Sequence, residues 1–283
     1  MILINIENVS YKYKNGKQVL KNISFSVKKG EIIAIVGKNG SGKSTIGKLI
    51  SGILKLKEGK ILIDDIDLSK RKNRELINSK VGIVFQNPDS QIIFGNIKDE
   101  FSYITQDEAV IDEVLKYVDM FEFKNNDLYY LSLGQKQRIM IAEVLAKKPQ
   151  YIILDEPTTM IDSIGKEKIY KIIQKLNNEG YTIICITNLA DEILLADRTI
   201  ILNNGKIVEQ IEKSELIEKS KVFEKYEIKV PTLLELLIKL KNNGIKLDTN
   251  KNLTIDSFVE ELIIKLKKMD EEILDYNGQK EGW

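Results

Sequence analysis

The run Gly37-Lys38-Asn39-Gly40-Ser41-Gly42-Lys43-Ser44-Thr45 constrains this chain more than any other stretch of it. It follows the apolar segment Ile32–Val36, which has strand character, and leads into a helical pattern beginning near Gly42. Glycines in such a loop let the backbone curl until successive N–H groups point inward, and the helix start adds its positive end. That is a cradle for phosphate. Lys43 is placed to reach the β- and γ-phosphates of a nucleotide, and the Ser44 hydroxyl to ligate Mg²⁺.

A second acidic element completes this chemistry. Tyr151-Ile152-Ile153-Leu154 delivers Asp155 and Glu156 to the end of an apolar strand, where ligands sit in open α/β sheets. Asp155 is the candidate metal holder, and Glu156 the candidate to polarise an attacking water. The first 210 or so residues otherwise alternate β-branched runs with helical patterns, as a mixed α/β protein does. Strands are expected over Ile32–Val36, Lys60–Ile63, Val81–Phe85, Tyr151–Leu154, Thr182–Ile186 and Thr199–Leu202. Helices are expected to begin near Gly42, Glu108, Gly134, Gly165 and Asp191.

Beyond residue 212 the pattern changes. Charges crowd Glu212–Lys229, and Pro231 then opens an apolar helical stretch closed by Gly244. A further helix, capped by Thr254, places Ile255, Phe258, Val259, Leu262, Ile263 and Leu266 on one face. Residues 213–283 thus read as a helical appendage whose apolar face either meets a second subunit or packs on its own domain.

Composition excludes several classes. A net charge of +1 gives no electrostatic case for nucleic-acid binding. No apolar run approaches the ~20 residues of a membrane-spanning helix, and the start Met1-Ile2-Leu3-Ile4-Asn5 lacks signal-peptide features. Any membrane contact is therefore expected through partner subunits. The one cysteine, Cys185, lies in an apolar run, reads as a core residue and fits a reducing compartment.

With these motifs in place, Leu131-Ser132-Leu133-Gly134-Gln135 followed by a helix resembles the signature sequence of the ATP-binding-cassette family. The resemblance covers about residues 3–212 and implies an ATP-binding domain over 1–212, a P-loop NTPase core with a helical subdomain inserted at about 87–147. It implies an ATPase coupled to transmembrane transport, with ATP and Mg²⁺ as cofactors, at the cytoplasmic face of the cell membrane. The implied ATP-binding set is Gly37, Asn39, Gly40, Ser41, Gly42, Lys43, Ser44 and Thr45, with Tyr13 stacking on adenine and Tyr11 as the neighbouring alternative. Gln86 matches the family's glutamine loop and joins Ser44 and Asp155 as a metal contact. Lys43, Gln86, Glu156 and the residue at position 188 are the implied catalytic groups. In this family two cassettes sandwich two ATPs, so Ser132, Leu133, Gly134 and Gln135 would serve the partner's nucleotide while Asp162 lies in the loop crossing the dimer.

A narrower likeness lies in Val84-Phe85-Gln86-Asn87-Pro88-Asp89-Ser90-Gln91, which is similar to the ATPases of energy-coupling-factor transporters. That likeness implies uptake of vitamins or other micronutrients together with a second ATPase, a transmembrane T component and a substrate-binding S component. A cobalt or nickel importer is the alternative, and a soluble cassette acting on nucleic acid or ribosomes a more distant one. It makes Asp89 the candidate acid for an arginine of the T component.

Two positions depart from the family pattern. Asn188 stands where the switch histidine would be, and the chain contains no histidine at all. A neutral, shorter amide in place of the imidazole predicts slow hydrolysis at this chain's own phosphate loop. Leu133 stands at the first signature glycine, so strain is expected there if the backbone takes positive φ. Both departures fit one unequal member of an ATPase pair.

Overall fold

The computed structural model describes residues 2–14, 16–245, 258–265 and 267. In chain order the strands are β1 (Ile2–Lys12), β2 (Gln18–Lys28), β3 (Ile32–Val36), β4 (Glu58–Ile63) and β5 (Ile66–Asp67). They continue with β6 (Val81–Val84), β7 (Tyr151–Asp155), β8 (Thr182–Thr187), β9 (Arg198–Asn203) and β10 (Lys206–Glu212). The helices are α1 (Lys43–Ile50), α2 (Arg74–Lys80), α3 (Ile97–Ile104), α4 (Glu108–Tyr117) and α5 (Leu133–Ala146). After them come α6 (Ser163–Asn178), α7 (Ala190–Leu195), α8 (Lys221–Lys225) and α9 (Thr232–Asn242).

Two sheets form. The first, ordered β2-β1-β4-β5, is antiparallel and buries alternate residues of β1 such as Ile4 and Ile6. The second is ordered β10-β9-β3-β8-β7-β6, with β9, β3, β8, β7 and β6 parallel and β10 antiparallel at the edge. Its central strands β3, β7 and β8 are buried throughout, which explains why their sequences are continuously apolar instead of alternating.

Strand alternation sorts the chain into layers. Ile33 and Ile35 of β3 face an apolar core shared with the antiparallel sheet and α1, while Ile32, Ala34 and Val36 face the core shared with α3 to α7. Cys185, completely buried on β8, sits in the second of these, and burial pushes its thiol up. Helix α5 is buried on nearly every side, from Gln137 to Ala146, so it forms the spine of the helical layer.

The boundaries differ from the sequence expectation by small steps with clear causes. Strand β6 ends at Val84, because the Phe85 N–H leaves the ladder to donate to Gln91 Oε1 at 2.8 Å. Helix α6 starts at Ser163, capped by Asp162, whose Oδ1 accepts from the Gly165 N–H at 2.8 Å. Helix α9 ends before Gly244, whose φ of 86° supplies the left-handed turn.

Of the tail helix, Thr254, Ile255 and Leu266 lie outside the described residues, whereas 258–265 are helical. Phe258 is buried and Leu262 packs against the same core as α5, together with Phe223, Leu234 and Leu237. The described tail thus shares the core of the preceding domain. Leu236, Val259, Ile263 and Ile264 remain exposed on its outer side.

Candidate nucleotide site

Loop 37–42 emerges from β3 and turns into α1 with geometry that only glycine accepts at two points. Gly37 has φ of 154°, and a Cβ there would lie 2.1 Å from the Leu202 carbonyl oxygen. Gly42 has φ of 111°, and its Cβ would strike the Leu20 side chain at 2.6 Å. The loop is thereby pressed between β9 and β2 and leads directly into the N-terminus of α1. It opens on a cleft of about 410 Å³ lined by Tyr13, Lys17, Val19, Asn39, Gly40, Gly42, Lys43, Ser44, Thr45, Gln86 and Glu156.

Within the cleft Lys43 is buried, its ammonium donating to the carbonyls of Gly37 at 2.7 Å and Lys38 at 3.3 Å. Burial lowers its pKa, opposed by the charges of Glu156 and Asp155. The Ser41 hydroxyl is buried with no hydrogen-bond partner among the described residues, as a group awaiting an anion would be. Tyr13 lines the cleft and shares a 3.1 Å hydrogen bond with the Thr45 hydroxyl. Tyr11 meets Tyr13 edge-on at 5.0 Å but belongs to the core beneath, so of the two it is Tyr13 that faces the cleft.

The acids arrive from the end of β7. Ser44 donates to Asp155 Oδ1 at 2.9 Å. Burial pushes the Asp155 carboxyl up, partly offset by this hydrogen bond. The Ser44 hydroxyl and the Asp155 carboxylate give a hard oxygen set beside a phosphate cradle, the chemistry that Mg²⁺ takes with few protein ligands.

Glu156 is held by its neighbours. Its Oε2 accepts from Gln86 Nε2 at 2.7 Å and from the Thr159 hydroxyl at 3.2 Å, while its N–H donates to the Ile186 carbonyl at 2.7 Å. Its backbone has φ of 51°, a left-handed conformation costly for a residue with a long side chain. Nothing in the sequence announces that strain. Asn188, just past the end of β8, reaches Asn39 of the loop with Nδ2 3.4 Å from Oδ1, and its own Oδ1 is buried without a partner among the described residues. Position 188 therefore faces the phosphate loop.

The remaining expected residues lie away from this cleft. Ser132 caps α5, its hydroxyl accepting from the Gln135 N–H at 3.3 Å while Gln135 Oε1 accepts from the Ser132 N–H at 2.8 Å. Leu133 is the first residue of α5 and does not take positive φ, so the strain expected there is absent. Gly134 is the tighter position, since a Cβ there would come within 3.1 Å of Ile161. None of these four residues, nor Asp162, lines the cleft. Asp89 is already engaged by Lys136 of α5 at 2.7 Å, so the acid picked out for a partner's arginine has an internal cation.

A strand-loop-helix phosphate cradle facing two acids across a parallel sheet defines a nucleotide-hydrolysing P-loop protein. Residues 20–159 match the family model of the ABC transporter ATPases. The chain is 40% identical to the energy-coupling factor transporter ATP-binding protein EcfA1 of Fusobacterium nucleatum subsp. nucleatum, over 91% of its own length and 97% of that protein. It is 36% identical to the protein of the same name from Clostridium novyi, over 92% and 97%. Among solved structures it superposes on cbiO1 from Clostridium perfringens, part of the ABC transporter complex cbiONQ, with a TM-score of 0.71, 32% identity and coverage of 83% and 98%. It also matches a dimeric ATP-binding cassette in a post-hydrolysis state with ADP and Pi, with a TM-score of 0.67, 30% identity and coverage of 74% and 98%. The chain belongs to the ABC transporter ATPases and, within them, to the energy-coupling factor transporter ATP-binding proteins.

Proposed function

We propose that this chain is one of two ATP-hydrolysing subunits of an energy-coupling factor transporter that takes up a vitamin or another micronutrient. The convergence of Lys43, Gln86 and Glu156 on one cleft, with Asp155 bonded to Ser44 of its lining, carries the hydrolytic part of this reading. Lys43 and the loop N–H groups bind the phosphates of ATP, and Tyr13 flanks the base. Ser44, Asp155 and Gln86 would hold Mg²⁺, which supplies positive charge against the phosphates when bound. Glu156 accepts a proton from the attacking water, with Gln86 and Thr159 orienting its carboxylate. Asn188 donates to the γ-phosphate region from the far side of the loop.

The signature residues Ser132, Leu133, Gly134 and Gln135 stand outside this cleft, which favours their use on a partner's nucleotide, with Asp162 at the crossing. Closure of the pair around ATP and release after hydrolysis would then drive a T component carrying an S component. No described helix is long and apolar enough to cross a membrane, so membrane attachment on the cytoplasmic side would run through those subunits. The match to cbiO1, part of the ABC transporter complex cbiONQ, supports a place for the chain in a multi-subunit transporter.

Affinity capture of the chain from detergent-solubilised membranes, followed by mass measurement of the intact complex, tests the proposal. Recovery with a multi-span protein and a second cassette is expected. Recovery with ribosomes, or with no membrane protein, would overturn it.

A further inference from the structure

Glu192 on α7 is completely buried, yet no part of the hydrolysis described above uses it. One carboxyl oxygen accepts the hydroxyl of Thr158, itself completely buried and two residues beyond Glu156. Thr187, the residue before Asn188, lies against the same carboxyl and takes the Leu189 N–H on its own hydroxyl at 2.8 Å. The second carboxyl oxygen has no hydrogen-bond partner among the described residues. Burying a carboxyl with an orphan oxygen costs free energy that a leucine of similar volume would not. Simple packing therefore gives no reason for an acid here.

Its placement does. The Thr158 segment carries Glu156, and the Thr187 segment carries Asn188. One side chain thus bonds to the segment that carries Glu156 and lies against the segment that carries Asn188. We infer that Glu192 is a positioning residue for ATP hydrolysis, its carboxyl locking the Glu156 and Asn188 segments in register through Thr158 and Thr187. The inference rests on the ATPase reading of the cleft.

The surroundings make this lock sensitive to pH. Burial pushes Glu192 up to about 7, with the hydroxyls of Thr158 and Thr187 and the charge of Lys166 opposing and Glu156 reinforcing the rise. Tyr170 from α6, whose hydroxyl lies 3.4 Å from that of Thr158, Cys185 from β8 and Asp191 on the same helix complete the titratable groups around it. Below neutrality the carboxyl is protonated. Above it the carboxylate is charged, accepts the Thr158 hydroxyl more strongly and faces the charge of Glu156, so the two forms hold the segments differently.

The test uses the assembled transporter with wild-type chain, E192L, T158V, the double variant and E192Q, measuring ATP turnover against pH. Misplacement of reacting groups by about 1 Å can cost ~10²-fold in rate. E192L and T158V should each lower kcat by roughly ten- to a hundredfold while KM for ATP stays within about twofold, and the double variant should be no slower than the worse single. E192Q, a neutral isostere, should keep kcat within about threefold and lose the wild-type change of rate around pH 7. Wild-type kcat in E192L, additive losses in the double variant, or an unchanged pH profile in E192Q would overturn the inference. If E192L fails to assemble, T158V alone decides, since it leaves the acid in place and removes only the bridge. A wild-type complex without ATP turnover would instead refute the ATPase reading itself.

Discussion

Gln86 donates its side-chain amide to the Glu156 carboxylate across 2.7 Å, joining the segment after β6 to the end of β7. The residue that follows one strand thereby orients the acid that follows another. Under the proposed function, a partner that moves the 86–91 segment would also turn the proposed proton acceptor. Glu156→Gln should lower ATP turnover of the assembled complex by a hundredfold or more, in the ~10²–10⁴ range of general bases, with ATP binding retained. Gln86→Ala, which leaves Thr159 on the carboxylate, should lower it by roughly tenfold. Steady-state turnover and nucleotide titration on the same preparations separate the two effects.

Asn188 faces the phosphate loop through Asn39 and offers a neutral, short amide at the position where the sequence resemblance implies a histidine. A single oriented donor at a developing negative charge is commonly worth ~10²–10³ in rate. Asn188→His should raise ATP turnover of the complex by on the order of tenfold, allowing for an imidazole that must also displace Asn39. Unchanged turnover would show that position 188 does not limit hydrolysis.

Leu133 occupies the first turn of α5 with helical backbone and packs against the helical core. Restoring glycine there relieves no strain. It removes an apolar contact and adds unfolded-state entropy of roughly 0.5–1 kcal/mol. Leu133→Gly should lower Tm by a few degrees and leave the partner site's turnover no faster, as read by thermal unfolding and ATPase assay.

Glu143 of α5 is buried, one of its oxygens lacks a partner among the described residues, and Glu100 stands beside it. Burial, with Glu100 adding, pushes its carboxyl up to about 8 from an ordinary 4.5. Between those values the folded chain holds a proton that the unfolded chain has released, so stability falls as pH rises through that window. Glu143→Gln removes the titration. Its Tm should match wild type near pH 5 and exceed it by several degrees at pH 8; equal pH slopes for the two proteins would contradict the assignment.

The parts of the site carried by local sequence were legible. A glycine loop between an apolar strand and a helix needs no tertiary information, and neither does an acid pair ending the apolar run Tyr151–Leu154. The parts made by convergence were not. Gln86 and Glu156 are 70 residues apart, and their bond depends on β6 lying beside β7 in the sheet. Likewise Asp89 looked free for a partner because Lys136 belongs to a helix far along the chain. The left-handed backbone of Glu156 accompanies an N–H bond to Ile186 on the neighbouring strand, a contact distant in sequence. Leu133 misled in the opposite direction, because the capping box of Ser132 and Gln135 fixes its conformation locally.

Phe223, Leu234, Leu237 and Phe258 are buried in the same apolar mass as Leu154 of β7 and the spine helix α5. The tail is consequently a wall of the motor and not a trailer behind it. Cutting the chain after β10 would strip that wall and leave greasy surface facing water, so a shortened cassette should clump before it turns over ATP. Whatever leans on the outward residues Leu236, Val259 and Ile263 pushes on close-packed side chains that run without a gap to the strand bearing Asp155.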